Sequence, residues 1–190
     1  MKCLLCSSWS FQHICNACQK ESLKPSLYKR KIRGNIDVYS FYRYKEIEKL
    51  LHTKHKDLGY YIYSILADNA FKQFTQNFIF EERVAAVAID DKVDSGYAHT
   101  AILTHALASS RIQPFFNTLR ASSTHNYSSQ SFQYRLLHPR NFTLKVFEPH
   151  FVILVDDILT TGLTLTQAVD CIEKEGKEVL FCLTLADAQK

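Results

Sequence analysis

The stretch "VILVDDILTTGLTL", Val152 to Leu165, sets two adjacent carboxylates behind an apolar run and follows them with three threonines and one of only five glycines in the chain. Ionised carboxylates accept hydrogen bonds and donate none, so Asp156 and Asp157 suit a vicinal diol, whose two hydroxyls are donors. Thr160, Thr161 and Thr164 bring hydroxyl donors, and Gly162 lets a backbone approach an anion without a Cβ between them. The loop Leu159 to Thr164, which includes Leu163, leads into a helix whose first N–H groups lack intrahelical partners and lie at the positive end of its dipole. A phosphate belongs there. Diol acceptors beside an anion cradle predict a ribose 5-phosphate site, and the sequence shows no evident partner for either carboxylate.

A second constellation lies near the start. Four of the six cysteines form two C-x2-C pairs, Cys3 with Cys6 and Cys15 with Cys18. Each pair makes a knuckle that aims two thiolates at one point, and two knuckles complete the S4 set that zinc prefers. In a reducing compartment disulfides do not persist, so the cluster reads as structural zinc, with an iron–sulfur centre as the main rival. His13 is the neighbouring alternative ligand but reads as a surface residue. Cys171 and Cys182 stand alone in helical and strand patterns and read as small core residues.

These groups need elements to hold them. "FVILV", 151–155, reads as a buried strand, with Asp156 and Asp157 leaving it where alternation breaks down, so that both carboxylates reach the crevice at the carboxyl edge of a parallel sheet. "TLTQAVDCIEKEG" follows as an amphipathic helix stopped by Gly176, and "EVLFCLTLA" as a last strand. Upstream, "DVYSFYRY" predicts an early strand. "EIEKLLHTK" and "YYIYSILADNAFKQF" predict two helices with Gly59 as punctuation between them. "RVAAVAID" predicts a strand ending in Asp90 and Asp91, "HTAILTHALAS" a helix, and Phe115 to Leu119 a short strand. Alternating strands and helices predict an α/β fold, a mostly parallel sheet flanked by helices. Residues 121–141, rich in Ser, Asn and Gln, predict a long loop serving as a lid or binding segment.

The expected organisation is a zinc-binding knuckle over 1–20, a basic linker over 21–35 carrying Lys24, Lys29, Arg30, Lys31 and Arg33, and one α/β domain over 36–190. A linker of this kind is usually solvated, and a phosphate-contacting arm is its minority reading. With 46% hydrophobic and 22% charged residues, the composition excludes disordered and fibrous classes. No stretch approaches the roughly 20 apolar residues of a membrane span. "MKCLLCSSWS" lacks the apolar core of an export signal, so the expected compartment is the cytoplasm, with the inner face of the cytoplasmic membrane as a place of action. A net charge of +4 is compatible with nucleic acid without arguing for it alone.

An apolar strand, two acids, two further residues, then Thr-Thr-Gly and another Thr resembles the type I phosphoribosyltransferase signature. The order of parts, a four-cysteine knuckle ahead of such a domain, resembles the ComF (ComFC) family of competence proteins. The resemblance implies a type I phosphoribosyltransferase-like fold in which Asp156 and Asp157 hold ribose hydroxyls. Residues 160 to 164 would hold the 5-phosphate of phosphoribosyl pyrophosphate, with Mg2+ on its pyrophosphate. Asp90, Asp91 and Lys92 would lie at the pyrophosphate loop. Where the family has Arg-Gly-Phe-Asn-Gln, this chain has Ser95-Gly96-Tyr97-Ala98-His99, which leaves Lys92 as the nearest candidate cation; Gln130 and Arg140-Asn141 match later elements loosely. The resemblance further implies natural transformation: uptake of single-stranded DNA alongside a helicase-like ATPase partner. The alternative is an active magnesium-dependent phosphoribosyltransferase whose acceptor the sequence does not name.

Overall fold

The computed structural model describes residues 1–89, 93, 96–122, 133 and 140–189. In chain order its elements are α1 (Asn16–Ser22), β1 (Tyr28–Ile32), β2 (Ile36–Arg43), α2 (Tyr44–Leu51), α3 (Asp57–Asn69), α4 (Phe71–Asn77), β3 (Val84–Ile89), α5 (His99–His105), β4 (Ile112–Ala121), β5 (Phe142–Leu144), β6 (Phe151–Leu159), α6 (Leu163–Lys174) and β7 (Glu178–Asp187). One seven-stranded sheet runs β1-β2-β7-β6-β3-β4-β5. Its five central strands are parallel, and the edge strands β1 and β5 pair antiparallel with their neighbours.

The apolar runs of β3 and β6 follow from burial on both faces, which leaves no room for polar alternation. Because side chains alternate along a strand, Ile153 and Val155 join one core and Val152 and Leu154 the other. The first core is covered by Ile47, Leu50 and Leu51 of α2, Ile62, Tyr63 and Leu66 of α3, Phe71 of α4 and Leu103 of α5. The second is covered by Leu165, Ala168, Val169 and Ile172 of α6. The mostly parallel, helix-flanked sheet expected from the sequence is the observed architecture. Among the described residues no helix is long and apolar enough to cross a membrane.

Four expectations change. The basic segment after the cysteines is not solvated throughout: Tyr28 to Ile32 form β1, hairpinned to β2 through Arg33 (φ 52°) and Gly34 (φ 78°). Lys29, Arg30, Lys31 and Arg33 form ion pairs within the chain. Lys29 and Lys31 sit 2.8 and 3.0 Å from Asp37, and Arg33 lies 2.5 Å from Glu173 and 3.2 Å from Asp170 on α6. Secondly, Gly59 lies inside the first turn of α3 and not between helices; the junction falls at residues 52–56. Thirdly, the long helix ends at Ala70 (φ −108°, ψ −69°), and a separate helix, α4, follows from Phe71. Fourthly, β6 continues through Asp156 and Asp157 to Leu159, with Asp156 paired to Thr184 and Ile158 to Ala186 of β7. Of the expected loop 121–141, most lies outside the described residues.

The cysteine module shares the main core. Cys3, Ile14 and Leu23 are buried within the same cluster as α2, α3 and α4. The Tyr42 hydroxyl donates to the Leu23 carbonyl at 2.8 Å, the Asn69 side-chain amide donates to Gln19 at 3.2 Å, and the rings of His13 and Tyr61 lie 4.9 Å apart.

Candidate functional site

At the carboxyl end of β6 the two acids part company. Alternation does not carry through the strand end, where Ile158 joins the core of Ile153 and Val155 and Leu159 that of Val152 and Leu154, so the partners of each acid define its surroundings. The expectation of two unpaired carboxylates is corrected for Asp157, which has partners within the fold. Asp157, only 7% exposed, has its Oδ2 2.9 Å from Lys54 Nζ and 3.4 Å from His99 Nε2. Burial opposes its ionisation, but the Lys54 cation and His99 outweigh that and hold its carboxyl below the usual range.

Asp156 is half-buried and stands in the opposite balance. Burial, then the charge of Asp157, push its carboxyl up to about 8, against the Asp157 N–H that it accepts at 2.8 Å and the more distant positive charges of Arg140 and Lys54. A carboxyl that titrates near neutrality beside a cleft is a common mark of a working group.

The turn after β6 is held from two sides. Gly162 adopts φ 80° and caps α6, and a Cβ there would come within 2.6 Å of the Ile32 side chain at the end of β1. Glycine is required by that close approach as well as by the left-handed backbone. The Thr160 carbonyl accepts from Arg30 Nη1 at 3.1 Å, and the same nitrogen lies 2.8 Å from Asp187 Oδ1 at the end of β7. Thr160 and Thr161 stay exposed, Leu163 and Thr164 half-buried, and Thr161 Oγ1 accepts the Leu163 N–H at 3.4 Å. The result is a rigid turn presenting hydroxyls and the first N–H groups of a 12-residue helix beside Asp156. Asp91 and Lys92, expected at the same sheet edge, lie outside the described residues.

In the N-terminal module, the sulfurs of Cys3, Cys6, Cys15 and Cys18 all lie within 4.8 Å of one another, with Cys6 and Cys15 3.7 Å apart. Four thiolates at zinc bond length around one tetrahedral ion would stand about 3.8 Å apart. The donor set fits. Sulfurs this close suit a single ion better than a cluster in which each thiolate caps a different iron. Backbone N–H groups already favour thiolate: Cys15 N–H donates to Cys3 Sγ at 3.3 Å, and such bonds, from Cys6 first, bring the Cys3 thiol down to about 6 despite its burial. Cys18 moves the opposite way, its thiol pushed up by Cys15 and Cys6. Sulfurs competing for protons in this way are a set that a divalent cation would relieve.

Sequence reading missed the partners of Asp157. Lys54 lies in an unremarkable junction and only the tertiary structure delivers it. His99 stood inside the Ser95 to His99 element, and its position at the start of α5, two residues after Tyr97, was a signal available to be used. Tyr63 and Thr100 line the same face, and their buried hydroxyls have no hydrogen-bond partner among the described residues.

Comparison with known proteins places the C-terminal part of the chain. A family model described as phosphoribosyl transferase domain matches residues 106–190, which include β6, the turn and α6. No curated protein matches the sequence. Among solved structures, the chain is similar to a hypoxanthine phosphoribosyltransferase from Staphylococcus aureus, at 17% identity and TM-score 0.39, over 66% of this chain and 62% of that one. The chain therefore spans less than two thirds of that protein's length. It is also similar to orotate phosphoribosyltransferases from Aeropyrum pernix (15% identity, TM-score 0.41, 90% of this chain and 80% of that one) and Mycobacterium tuberculosis H37Rv (14%, 0.41, 90% and 82%), the latter in complex with Fe(III) dicitrate. Likeness at this level says nothing of substrate. The family match and the sheet topology together give a phosphoribosyltransferase-like fold with an N-terminal four-cysteine cluster compatible with zinc.

Proposed function

We propose that the chain binds a ribose 5-phosphate or phosphoribosyl pyrophosphate at the carboxyl end of β6, and that it does so as a DNA-uptake factor. One observation carries the ligand: Asp156, on a strand end, stands directly before a glycine-capped turn whose exposed Thr160 and Thr161 lead into a helix N-terminus. Asp156 accepts from the ribose hydroxyls. The turn from Thr160 to Thr164 holds the 5-phosphate through hydroxyls and backbone N–H groups. Phosphoribosyl pyrophosphate would bring Mg2+ with it, and the magnesium would neutralise pyrophosphate charge.

The DNA role rests on the resemblance in part order and on surface chemistry. Trp9 and Phe11 on the cysteine module and Tyr60 and Tyr61 on α3 are exposed, with Lys2 and Lys20 nearby in sequence. Exposed rings with scattered cations are how single strands are held without sequence preference. Most cations of the former linker are engaged internally, so the module, and not the hairpin, is the proposed contact surface.

Calorimetry with ribose 5-phosphate, and with phosphoribosyl pyrophosphate plus Mg2+, tests the site: the unaltered protein binds and Asp156→Asn does not. Binding unaffected by that change would remove the carboxylate from the ligand. Titration of fluorescent single-stranded oligonucleotides at rising salt tests the second role, with affinity expected to fall as salt rises. An affinity indifferent to salt would refute it.

A further inference from the structure

We infer that Arg30 is a positioning residue for the phosphate: from the edge strand β1 it holds the peptide between Thr160 and Thr161 with the carbonyl turned to its own side and the N–H turned to the ligand. The inference rests on the sugar-phosphate reading and deepens it, because it names what fixes the anion-binding end of that site. Arg30 Nη1 donates to the Thr160 carbonyl at 3.1 Å and lies 2.8 Å from Asp187 Oδ1. A planar trans peptide sets its N–H opposite its C=O, and the described backbone holds no cis peptide. The Thr161 N–H therefore leaves the peptide on the side opposite to the oxygen that Arg30 holds. It donates no hydrogen bond among the described residues.

The guanidinium is itself fixed. Asp187 is 1% exposed, and its Oδ1 also accepts the Gln189 N–H at 2.8 Å, so the carboxylate is anchored at the end of β7. A pair so far out of water holds its geometry, since parting it strands a charge. Alternation along β1 puts Ile32 on the same face as Arg30, and Ile32 is the side chain that abuts Gly162. Beyond it, Arg33 pairs with Asp170 and Glu173 of α6. The hairpin thus meets the turn at Thr160 and Gly162 and the helix that follows. Of these contacts, only that of Arg30 sets which way a peptide group of the turn faces.

That direction matters because an N–H and a C=O present opposite partial charges to an anion. With Arg30 in place, the Thr161 N–H is offered to the phosphate, and a cation behind the carbonyl polarises the peptide and strengthens it as a donor. Without Arg30, the peptide is free to turn its oxygen toward the phosphate, which loses a charge-assisted hydrogen bond and gains a repulsion. Arg30 acts on the ligand through this peptide and does not touch it.

Calorimetry with ribose 5-phosphate on the full chain tests this, using Arg30→Met, Arg30→Met combined with Asp187→Asn, and Lys29→Met. Arg30→Met should weaken binding about tenfold, the scale of one hydrogen bond to a charged group. It should also melt at a lower temperature, because Asp187 is left without its cation. The double variant removes that orphaned charge, so its melting temperature should return toward that of the unaltered protein while its affinity stays about tenfold low. A merely structural role would restore both together. Lys29→Met, which takes from the same strand a cation paired with Asp37, should leave the affinity unchanged. The phosphorus NMR resonance of bound ribose 5-phosphate should move in both Arg30 variants and stay in place in Lys29→Met. If affinity recovers with melting temperature in the double variant, or Arg30→Met binds as the unaltered protein does, the inference is wrong. An unmoved resonance in the Arg30 variants overturns it whatever their stability. If the unaltered protein does not bind ribose 5-phosphate at all, the sugar-phosphate reading fails first and takes the inference with it.

Discussion

Asp156 and Asp157 are the same residue type one peptide apart, yet their surroundings send their protons in opposite directions. Asp157 is held ionised by Lys54 and His99, so its stabilising contribution is present above the unfolded carboxylate value and is lost as pH falls through its lower folded value. Asp156 runs the other way. Between about 4, where it ionises in the unfolded chain, and about 8, where it ionises in the folded one, the folded state binds the extra proton, so stability falls as pH rises through that window. The ligand-free protein should melt at a progressively lower temperature from pH 5 to pH 8 (about three pH steps within that window), and Asp156→Asn should flatten this slope; thermal unfolding across a pH series checks it. At the turn, Gly162→Ala must adopt a positive φ and push its Cβ into Ile32. A cost of about 1–3 kcal/mol is expected, seen as a lower denaturation midpoint with unchanged slope.

At the scale of elements, the edge strand β1 does more than close the sheet. Its Arg30 reaches across β2 to Asp187 at the end of β7, a carboxylate only 1% exposed, and on to the carbonyl of Thr160. Hairpin, strand end and the turn before α6 are one hydrogen-bonded unit. Removing the guanidinium leaves a buried carboxylate without its cation, so Arg30→Met should cost about 3 kcal/mol in urea unfolding. The same variant should loosen the turn, visible as faster amide exchange at Thr160 and Thr161. Equal exchange in both proteins would mean that the turn holds its shape without β1.

At the scale of the whole molecule, the cysteine module is continuous with the main core. Metal binding of this kind supplies on the order of 10 kcal/mol to folding. Because Cys3, Ile14 and Leu23 pack in the cluster that covers α2 to α4, loss of the metal should be felt by the entire domain. Chelation is expected to lower one shared calorimetric transition; an independent low-temperature transition beside an unmoved main peak would show the module to be a separate folding unit. If zinc fills the cluster, a chelator should also release the thiols of Cys3, Cys6, Cys15 and Cys18 to a thiol reagent, four residues together, while buried Cys182 stays protected.

Periodicity and local chemistry determined the parallel sheet, its covering helices, the metal-binding spacing and the polar strand end, because each of these depends on residues close together in the chain. Even there, the apolar run before Asp156 did not reveal that the strand persists to Leu159, since pairing with β7 decides where a strand stops. The basic segment read as solvated because its partners Asp170, Glu173 and Asp187 lie far away in sequence. Lys54, His99 and Tyr97 became part of the site only when three separate segments met at one edge. How each of two adjacent carboxylates ionises is set by burial and by charges brought from remote positions, and these exist only in the folded molecule.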